Sequence, residues 1–314
     1  GELADASTLY VTSGEASPLA EALRHSDRTV RLAAARAILR LAPTRSFPGS
    51  NRVVPALCYF LKSEGRPRIL VGHPGTRQAQ QLVGSLRDLG YEADAAHDGR
   101  ELFRLAVAHP DYEMVLISDA IGGPDSFELL QQLRRDPRTS EIPIGLAVRY
   151  ENLERARQIT RDEPRTRSFV WPHATEFVRL SLDEVLAVSG GRVPNLDVRV
   201  EHSQEAMQLL GTAAARPDVY IFEDLYAQEE MLIGLVDSPV LPAEAVRTLG
   251  VLATPASQRA LVALIGEGLY SADLRSAAVD ALQAAIARRG LLLTTAEIRR
   301  VYDRRNQLGQ QEPS

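Results

Sequence analysis

The sequence has very little of two residue types on which protein chemistry often depends. Cys58 is the only cysteine among the 314 residues, and Lys62 is the only lysine. A single cysteine excludes an intramolecular disulfide and a cysteine-rich zinc cluster. A single lysine confines any lysine-dependent chemistry to residue 62.

Long apolar runs and an excess of basic charge are also missing. No apolar run approaches the roughly 18 to 20 residues that a helix needs to cross a bilayer, and the N-terminus lacks the pattern of a secretory signal. The formal net charge of −5 provides no basic field for a nucleic acid. We therefore expect a soluble, cytoplasmic protein that binds neither membrane nor nucleic acid. Because the chain opens on Gly1 and not on Met, we expect its natural N-terminus to lie upstream.

The two ends of the chain share a helical pattern. Residues 27–41 read DRTVRLAAARAILRL, and residues 271–286 read SADLRSAAVDALQAAI. In both segments small and branched apolar residues recur at helical spacing, which predicts an inward face. The predicted inward residues are Val30, Ala33, Ala34, Ala37, Ile38 and Leu41 in the first segment, and Leu274, Ala277, Ala278, Ala281 and Leu282 in the second.

Further helices are predicted around these two. They lie at about 16–24, 51–62, 203–215, 223–236, 242–252 and 256–266. The form D-x-x-V-R-x-x-A-A-x-A-(I/L) resembles the HEAT repeat, including the variant associated with phycobilisome lyases. The resemblance covers about 15–62 and 200–290 and implies stacked helical hairpins. An unrelated alanine-rich helical bundle shares the same periodicity and stays the alternative.

Between these helices the pattern of apolar residues changes and predicts short strands that alternate with helices. Strands are predicted at 68–72, 91–96, 113–118, 142–148 and 167–171. Strict alternation of this kind predicts a parallel sheet with helices on both faces. Five such units in roughly 120 residues fit the flavodoxin-like strand order 2-1-3-4-5.

The amino-acid sequence of this middle region resembles those of response-regulator receivers. The segments GYEADAAHDGREL and MVLISDAIGGPDSFELLQQLRRDPRTSEIPI carry the resemblance, which covers about 66–189. We therefore predict an α plus α/β multidomain protein. HEAT-like α-solenoid segments at 1–65 and 191–314 flank a flavodoxin-like (βα)5 receiver-like domain at 66–190.

The resemblance also implies a chemistry that this sequence has lost. Receivers hold Mg²⁺ on an acidic cluster and accept a phosphoryl group on an aspartate at the end of the third strand, where a carboxylate serves as nucleophile and metal ligand. Here Gly72, His73 and Pro74 replace the acidic pair after the first strand. The motif that begins at Asp125 places the acceptor position on Ser118, seven residues upstream.

Asp119 and the remaining strand ends complete this comparison. Strand alternation predicts that Asp119 points away from the site, although a shift of one residue would restore it as the acceptor. Val148, followed by Arg149, stands at the switch position of receivers, where Ser or Thr is expected. Trp171 stands where receivers have lysine. We expect its ring to pack over the vacated acidic pocket, and an exposed tryptophan on a loop is the alternative.

Histidines offer no clear metal site in the sequence. None of the six forms a helical pair three or four residues apart. His73 and Asp119 together could bind a metal or a small anion at the strand edge, and two polar residues in solvated loops are the alternative. We predict no catalytic residue, no metal and no cofactor.

These observations favour a non-catalytic scaffold or protein–protein interaction protein that is not an enzyme, with protein partners that the sequence does not identify. One alternative is a signal or small-ligand sensor that retains binding or phosphoacceptance at Ser118 or Asp119. A further alternative, implied by the repeat type alone, is a bilin-lyase-like accessory protein. We also expect the receiver-like domain to be inserted within one solenoid, so that helix 51–62 contacts helix 203–215.

Overall fold

A computed structural model describes residues 6–10, 16–189, 195–220 and 224–300 of the chain. Their contacts divide the chain into two compact units. The sheet unit comprises Ala22–Arg31 and Lys62–His202. The helical unit draws its described residues from Gly1–Glu21, Leu32–Leu61 and Ser203–Ser314.

The sheet unit is built on five parallel strands. They are β1 (Arg68–Gly72), β2 (Glu92–Ala96), β3 (Tyr112–Ser118), β4 (Ile144–Val148) and β5 (Thr166–Val170). Their order across the sheet is β2-β1-β3-β4-β5, and every pairing is parallel. All residues of β4 are buried, as expected for a strand covered on both faces. The predicted flavodoxin-like order is therefore confirmed.

Five helices follow the five strands and cover both faces of the sheet. They are α4 (Thr76–Asp88), α5 (Gly99–Ala108), α6 (Ser126–Arg135), α7 (Leu153–Ile159) and α8 (Thr175–Ala187). Apolar residues of α4 and α8 form one core with the sheet, and those of α5, α6 and α7 form the other. Alternation along β1 divides its side chains accordingly, with Leu70 in one core and Ile69 and Val71 in the other.

Side-chain caps fix the start of two of these helices. The carboxylate of Asp98 accepts a hydrogen bond from the Glu101 backbone N–H at the start of α5. At the start of α6, Asp125 accepts hydrogen bonds from the backbone N–H groups of Phe127 and Glu128. Asp is a favoured residue at this position because its side chain satisfies N–H groups that have no partner within the helix.

Most of the remaining helices lie near the predicted positions. They are α1 (Pro18–Glu21), α2 (Arg28–Arg40), α3 (Val53–Leu61), α9 (Leu196–Ala215), α10 (Asp224–Ala227), α11 (Glu229–Gly234), α12 (Pro242–Leu252), α13 (Pro255–Gly266) and α14 (Ala272–Arg289). In the described ranges, no helix is both long and apolar enough to cross a bilayer.

Close helix packing in the helical unit depends on small residues. α12, α13 and α14 pack on one another. A Cβ atom added to Gly250 would lie 2.8 to 2.9 Å from atoms of Ala281, so α12 and α14 approach backbone to backbone at this point. This packing agrees with an alanine-rich helical assembly, and the HEAT repeat itself stays a prediction.

The structure differs from the predicted helices in two places. α9 begins at Leu196, well before the predicted start at 203, and the helix predicted at 223–236 is divided into α10 and α11. In α2 the predicted inward residues Val30 and Ala33 are exposed. The buried face instead includes Leu32, Ala35 and Leu39, because the spacing i, i+3 and i+7 brings both leucines of this helix to one face.

The two ends of the chain meet within the helical unit. The guanidinium of Arg36 in α2 forms a two-pronged ion pair with the carboxylate of Glu205 in α9. The hydroxyl of Tyr220 donates a hydrogen bond of 2.8 Å to the Leu39 carbonyl. These contacts run through α2, so the expected contact of helix 51–62 with helix 203–215 stays a prediction.

The sheet unit also extends beyond the predicted segment 66–190. Residues 22–31 pack with it, as does the first part of α9 up to His202. The division into three domains at 65 and 190 stays a prediction.

Candidate functional site

The predicted site residues lie at the carboxyl-terminal edge of the sheet. Gly72 ends β1, Ser118 ends β3 and Val148 ends β4, while Trp171 directly follows β5. Because all strands are parallel, these ends meet along one edge, which is where ligands bind in open α/β folds. A binding or catalytic site of the sheet unit is therefore expected at this edge.

A side chain at Gly72 would require two neighbouring apolar side chains to move. A Cβ atom at this position would stand 2.2 Å from Leu102 Cδ1 and 2.9 Å from Ile121 Cδ1. Both of these apolar residues are buried. The space that a carboxylate would need after β1 is therefore filled by aliphatic side chains from α5 and from the turn that follows β3.

His73 is half-buried beside an aromatic ring. Its Nδ1 lies 2.9 Å from the Gly75 backbone nitrogen and 3.3 Å from the Gly75 carbonyl oxygen. The ring centroids of His73 and Trp171 are 4.5 Å apart, with a tilt of 54°. Burial lowers the pKa of His73, while the nearby charge of Asp119 acts in the opposite direction. Pro74, the next residue, is exposed.

Ser118 and Asp119 take different roles at the end of β3. Ser118 is buried, and its Oγ accepts a hydrogen bond of 3.2 Å from the Ala120 backbone N–H. Its hydroxyl thus stabilises the turn after the strand. The Asp119 carboxylate instead lies at the strand edge, where Oδ2 accepts a hydrogen bond of 2.6 Å from Asn152 Nδ2.

The orientation predicted for Asp119 needs a correction. β3 ends at Ser118, so the alternation of side chains along the strand does not extend to residue 119. Asp119 Oδ2 also lies 3.3 Å from the backbone nitrogen of Arg149 and 3.4 Å from its Nε. Asp119 therefore belongs to the same edge as His73 and Arg149.

Val148 and Trp171 occupy the switch and lysine positions of the receiver resemblance. Val148 is buried, and its carbonyl accepts a hydrogen bond of 2.8 Å from the Trp171 backbone N–H. The Trp171 side chain is half-buried against the core that α4 and α8 form with the sheet. Its ring lies beside His73, one of the residues that replace the acidic pair.

Asn152 was not found from the sequence. It lies at the start of α7, in the segment YEN, where nothing in the local pattern distinguishes it from a turn residue. Its contact with Asp119 joins residues that are 33 positions apart. A contact of this kind becomes visible only once β3 and β4 are known to be neighbours.

This edge does not fit the Mg²⁺ ion of receivers. Mg²⁺ requires oxygen ligands in near-octahedral geometry. Among the strand-end positions named above, only residue 119 carries a carboxylate, and the Arg149 guanidinium lies against it. Over the described residues, no group of three or more His, Cys, Asp or Glu side chains is placed to hold a metal ion. The edge can accept hydrogen bonds at Asp119 and present an aromatic surface at Trp171.

Comparison with known proteins gives matches among solved structures. No family model matches the chain, and no curated protein matches it. The chemotaxis response regulator CheY4 of Vibrio cholerae is 21% identical, with 38% of this chain and 98% of that chain covered and a TM-score of 0.35. A sensor protein from Polaromonas sp. JS666 is 22% identical, with 40% and 98% covered and a TM-score of 0.36.

A third similar structure is the signal receiver domain of a signal transduction histidine kinase from Syntrophus aciditrophicus. It is 18% identical, with 38% of this chain and 90% of that chain covered and a TM-score of 0.33. The fold of the sheet unit rests on its own topology, the order β2-β1-β3-β4-β5 with helices on both faces. Part of the chain therefore has a flavodoxin-like fold.

Proposed function

We propose that this chain is a non-catalytic interaction protein whose receiver-like unit serves as a docking surface and does not accept phosphate. The observation that carries the proposal is the closure of the strand edge at Gly72. Leu102 and Ile121 fill the space of the first carboxylate, so the position cannot hold an acidic side chain without repacking. A signalling role that depends on binding alone needs no such side chain.

The surroundings of Asp119 support the same proposal. A carboxylate that attacks a phosphoryl group needs a free oxygen and cationic groups that neutralise the charge of the donor. The Asp119 side chain is only 10% exposed, and because Oδ2 is engaged by Asn152 and Arg149, Oδ1 is the oxygen left to attack a phosphoryl group. The aromatic ring of Trp171 stands where receivers place a lysine.

Phosphotransfer tests the proposal directly. We expect intact-mass measurement after incubation with acetyl phosphate and Mg²⁺ to find no phosphoryl adduct on the protein. The Asp119→Asn variant is the matched control. An adduct on the wild type that is lost in Asp119→Asn would overturn the proposal.

Ligand-dependent stabilisation gives a second test. A ligand that binds only the folded state raises the thermal midpoint with its concentration. We expect no rise with Mg²⁺ and beryllofluoride together, since the edge offers them one carboxylate beside an arginine. A rise that depends on both reagents would count against the proposal.

A signal or small-ligand sensor that retains binding or phosphoacceptance at Ser118 or Asp119 is the second candidate function. It is favoured by the position of Asp119, whose carboxylate lies at the edge beside Arg149 and within electrostatic reach of His73. An adduct or a beryllofluoride-dependent rise in the tests above would establish this function. The bilin-lyase-like role stays a hypothesis, and a tetrapyrrole in the same thermal screen tests it.

A further inference from the structure

The opposite, amino-terminal end of β3 carries a buried ionic cluster. Residues 109–113, which lead into β3, form an anchor segment. Asp111 in this segment is fully buried, and Arg199 of α9, its neighbour, is only 1% exposed. Charged side chains are rarely buried to this degree unless they are paired and hydrogen-bonded.

The Asp111 carboxylate holds the stretch that precedes β1. Its Oδ1 accepts a hydrogen bond of 2.7 Å from the hydroxyl of Ser63, and its Oδ2 accepts one of 2.7 Å from the Glu64 backbone N–H. Ser63 is itself buried. Asp111 thus fixes both the side chain and the backbone of this stretch.

Arg199 holds the start of α9 on the same segment. Its Nη1 donates a hydrogen bond of 2.6 Å to the Asp111 carbonyl and lies 3.9 Å from Asp111 Oδ1. Its Nη2 lies 3.0 Å from Glu113 Oε1. A guanidinium that meets one carbonyl and two carboxylates in a buried place is held in a single orientation.

A third stretch reaches the anchor segment from the N-terminal side. Arg28 Nη1 donates a hydrogen bond of 3.3 Å to the carbonyl of Pro110. Arg28 belongs to Ala22–Arg31, the separate piece of chain that packs with the sheet unit. The anchor segment therefore contacts all three stretches that border the rest of the chain, near residues 28, 63 and 199.

We propose that the anchor segment is a latch that fastens the ends of this discontinuous unit as one cooperative group. When the latch is closed, the first half of α9 is folded onto the sheet unit. When either Asp111 or Arg199 is lost, the stretch at 62–66 and the stretch at 195–202 are released together. The geometry carries this coupling, because Ser63, Glu64 and Arg199 all contact Asp111.

Hydrogen exchange on the full chain, read by mass spectrometry, tests the latch through cross-effects. In Arg199→Met we expect exchange at 62–66 to become faster as well as exchange at 195–202, by roughly a hundredfold in both, since the loss of one buried partner strains the whole cluster. In Asp111→Ala we expect the same two stretches to respond. Exchange in α8 should change much less.

Arg134→Met is the matched control for the loss of a buried arginine. Arg134 also donates to backbone carbonyls, those of Ser140 and Ile142, within the sheet unit. In this variant we expect the rates of hydrogen exchange at 62–66 and 195–202, each taken relative to the rate in α8, to stay as in the wild type. Arg199→Lys should give a smaller joint effect than Arg199→Met, because an ammonium group can keep one of the contacts.

The outcome that would overturn the latch is independent behaviour of the two stretches. If Arg199→Met accelerates exchange at 195–202 alone, or if Arg134→Met gives the same joint pattern, the anchor segment does not couple them. Should Arg199→Met fail to fold, the Arg199→Lys variant decides the question by the same two stretches.

Discussion

The two edges of the sheet differ in what they bury. At the carboxyl-terminal edge, aliphatic side chains close the space at Gly72, and Trp171 lies on His73. At the amino-terminal edge, Asp111 and Arg199 belong to a buried network of charged side chains. The edge at which α/β folds ordinarily bind ligands therefore packs aliphatic and aromatic side chains, while the opposite edge buries charged ones.

This contrast teaches that perturbed ionisable groups need not mark a functional site. At the amino-terminal edge, burial raises the pKa of Glu113 and the pKa of Tyr112, and lowers the pKa of His109. Such shifts often gather at active sites, but structural ion pairs produce them as well. Here they accompany hydrogen bonds that fasten chain segments, so we interpret them as structural.

Removal of the Asp111 carboxylate should give the largest effect at either edge of the sheet. We expect Asp111→Ala to lower the free energy of unfolding by about 3 to 5 kcal/mol. It leaves the Ser63 hydroxyl and the Glu64 backbone N–H without their acceptor, and it takes one of two carboxylates away from the buried Arg199. Urea unfolding followed by the fluorescence of Trp171, the only tryptophan, measures the loss. Glu154→Ala, at an exposed ion pair, should change the same quantity by less than about 0.5 kcal/mol. Equal effects of the two variants would remove the distinction between the edges.

A smaller effect is expected from a methyl group at the other edge. Gly72→Ala should lower the free energy of unfolding by about 1 to 3 kcal/mol, since its Cβ would collide with Leu102. In a Leu102→Ala background the same substitution should cost less, because the collision is relieved, and the double-mutant cycle on urea unfolding measures this coupling. Strict additivity would mean that Leu102 does not close the site.

The sequence predicted the sheet well and the site only in part. Short apolar runs that alternate with helical patterns are local signals, so the strands and their helices could be placed from sequence. The orientation of Asp119 could not, because it depends on where β3 ends. The partnership of Arg199 with the Asp111 carbonyl joins residues 88 positions apart, and no local pattern reports it.

The pairing of Trp171 with His73 gives a still smaller effect. We expect His73→Ala to lower the free energy of unfolding by about 0.5 to 1.5 kcal/mol through the loss of ring contact. The wild-type emission should be shifted to the blue of free tryptophan in water and be weakly quenched by iodide, and the variant should be quenched more. Emission like that of free tryptophan in the wild type would show that the ring is not packed.

The smallest expected effect is a dependence of stability on pH at Glu113. Burial raises the pKa of this carboxyl in the folded protein above its ordinary value, and the Arg199 charge only partly opposes the rise. The folded state therefore binds the proton more tightly than the unfolded state. The contribution of Glu113 to stability is therefore fully present below the pKa of the unfolded state, and it is lost as the pH rises through the pKa of the folded state.

Relative to Glu113→Gln, which cannot titrate, the wild type should thus be more stable at acidic pH than at neutral pH. The midpoints of urea unfolding of the wild type and of Glu113→Gln, measured from acidic to neutral pH, give the difference in stability between the two proteins. A difference that changes in the opposite direction would mean that attraction by Arg199 outweighs burial, and that the anchor segment holds Glu113 as a fully compensated ion pair.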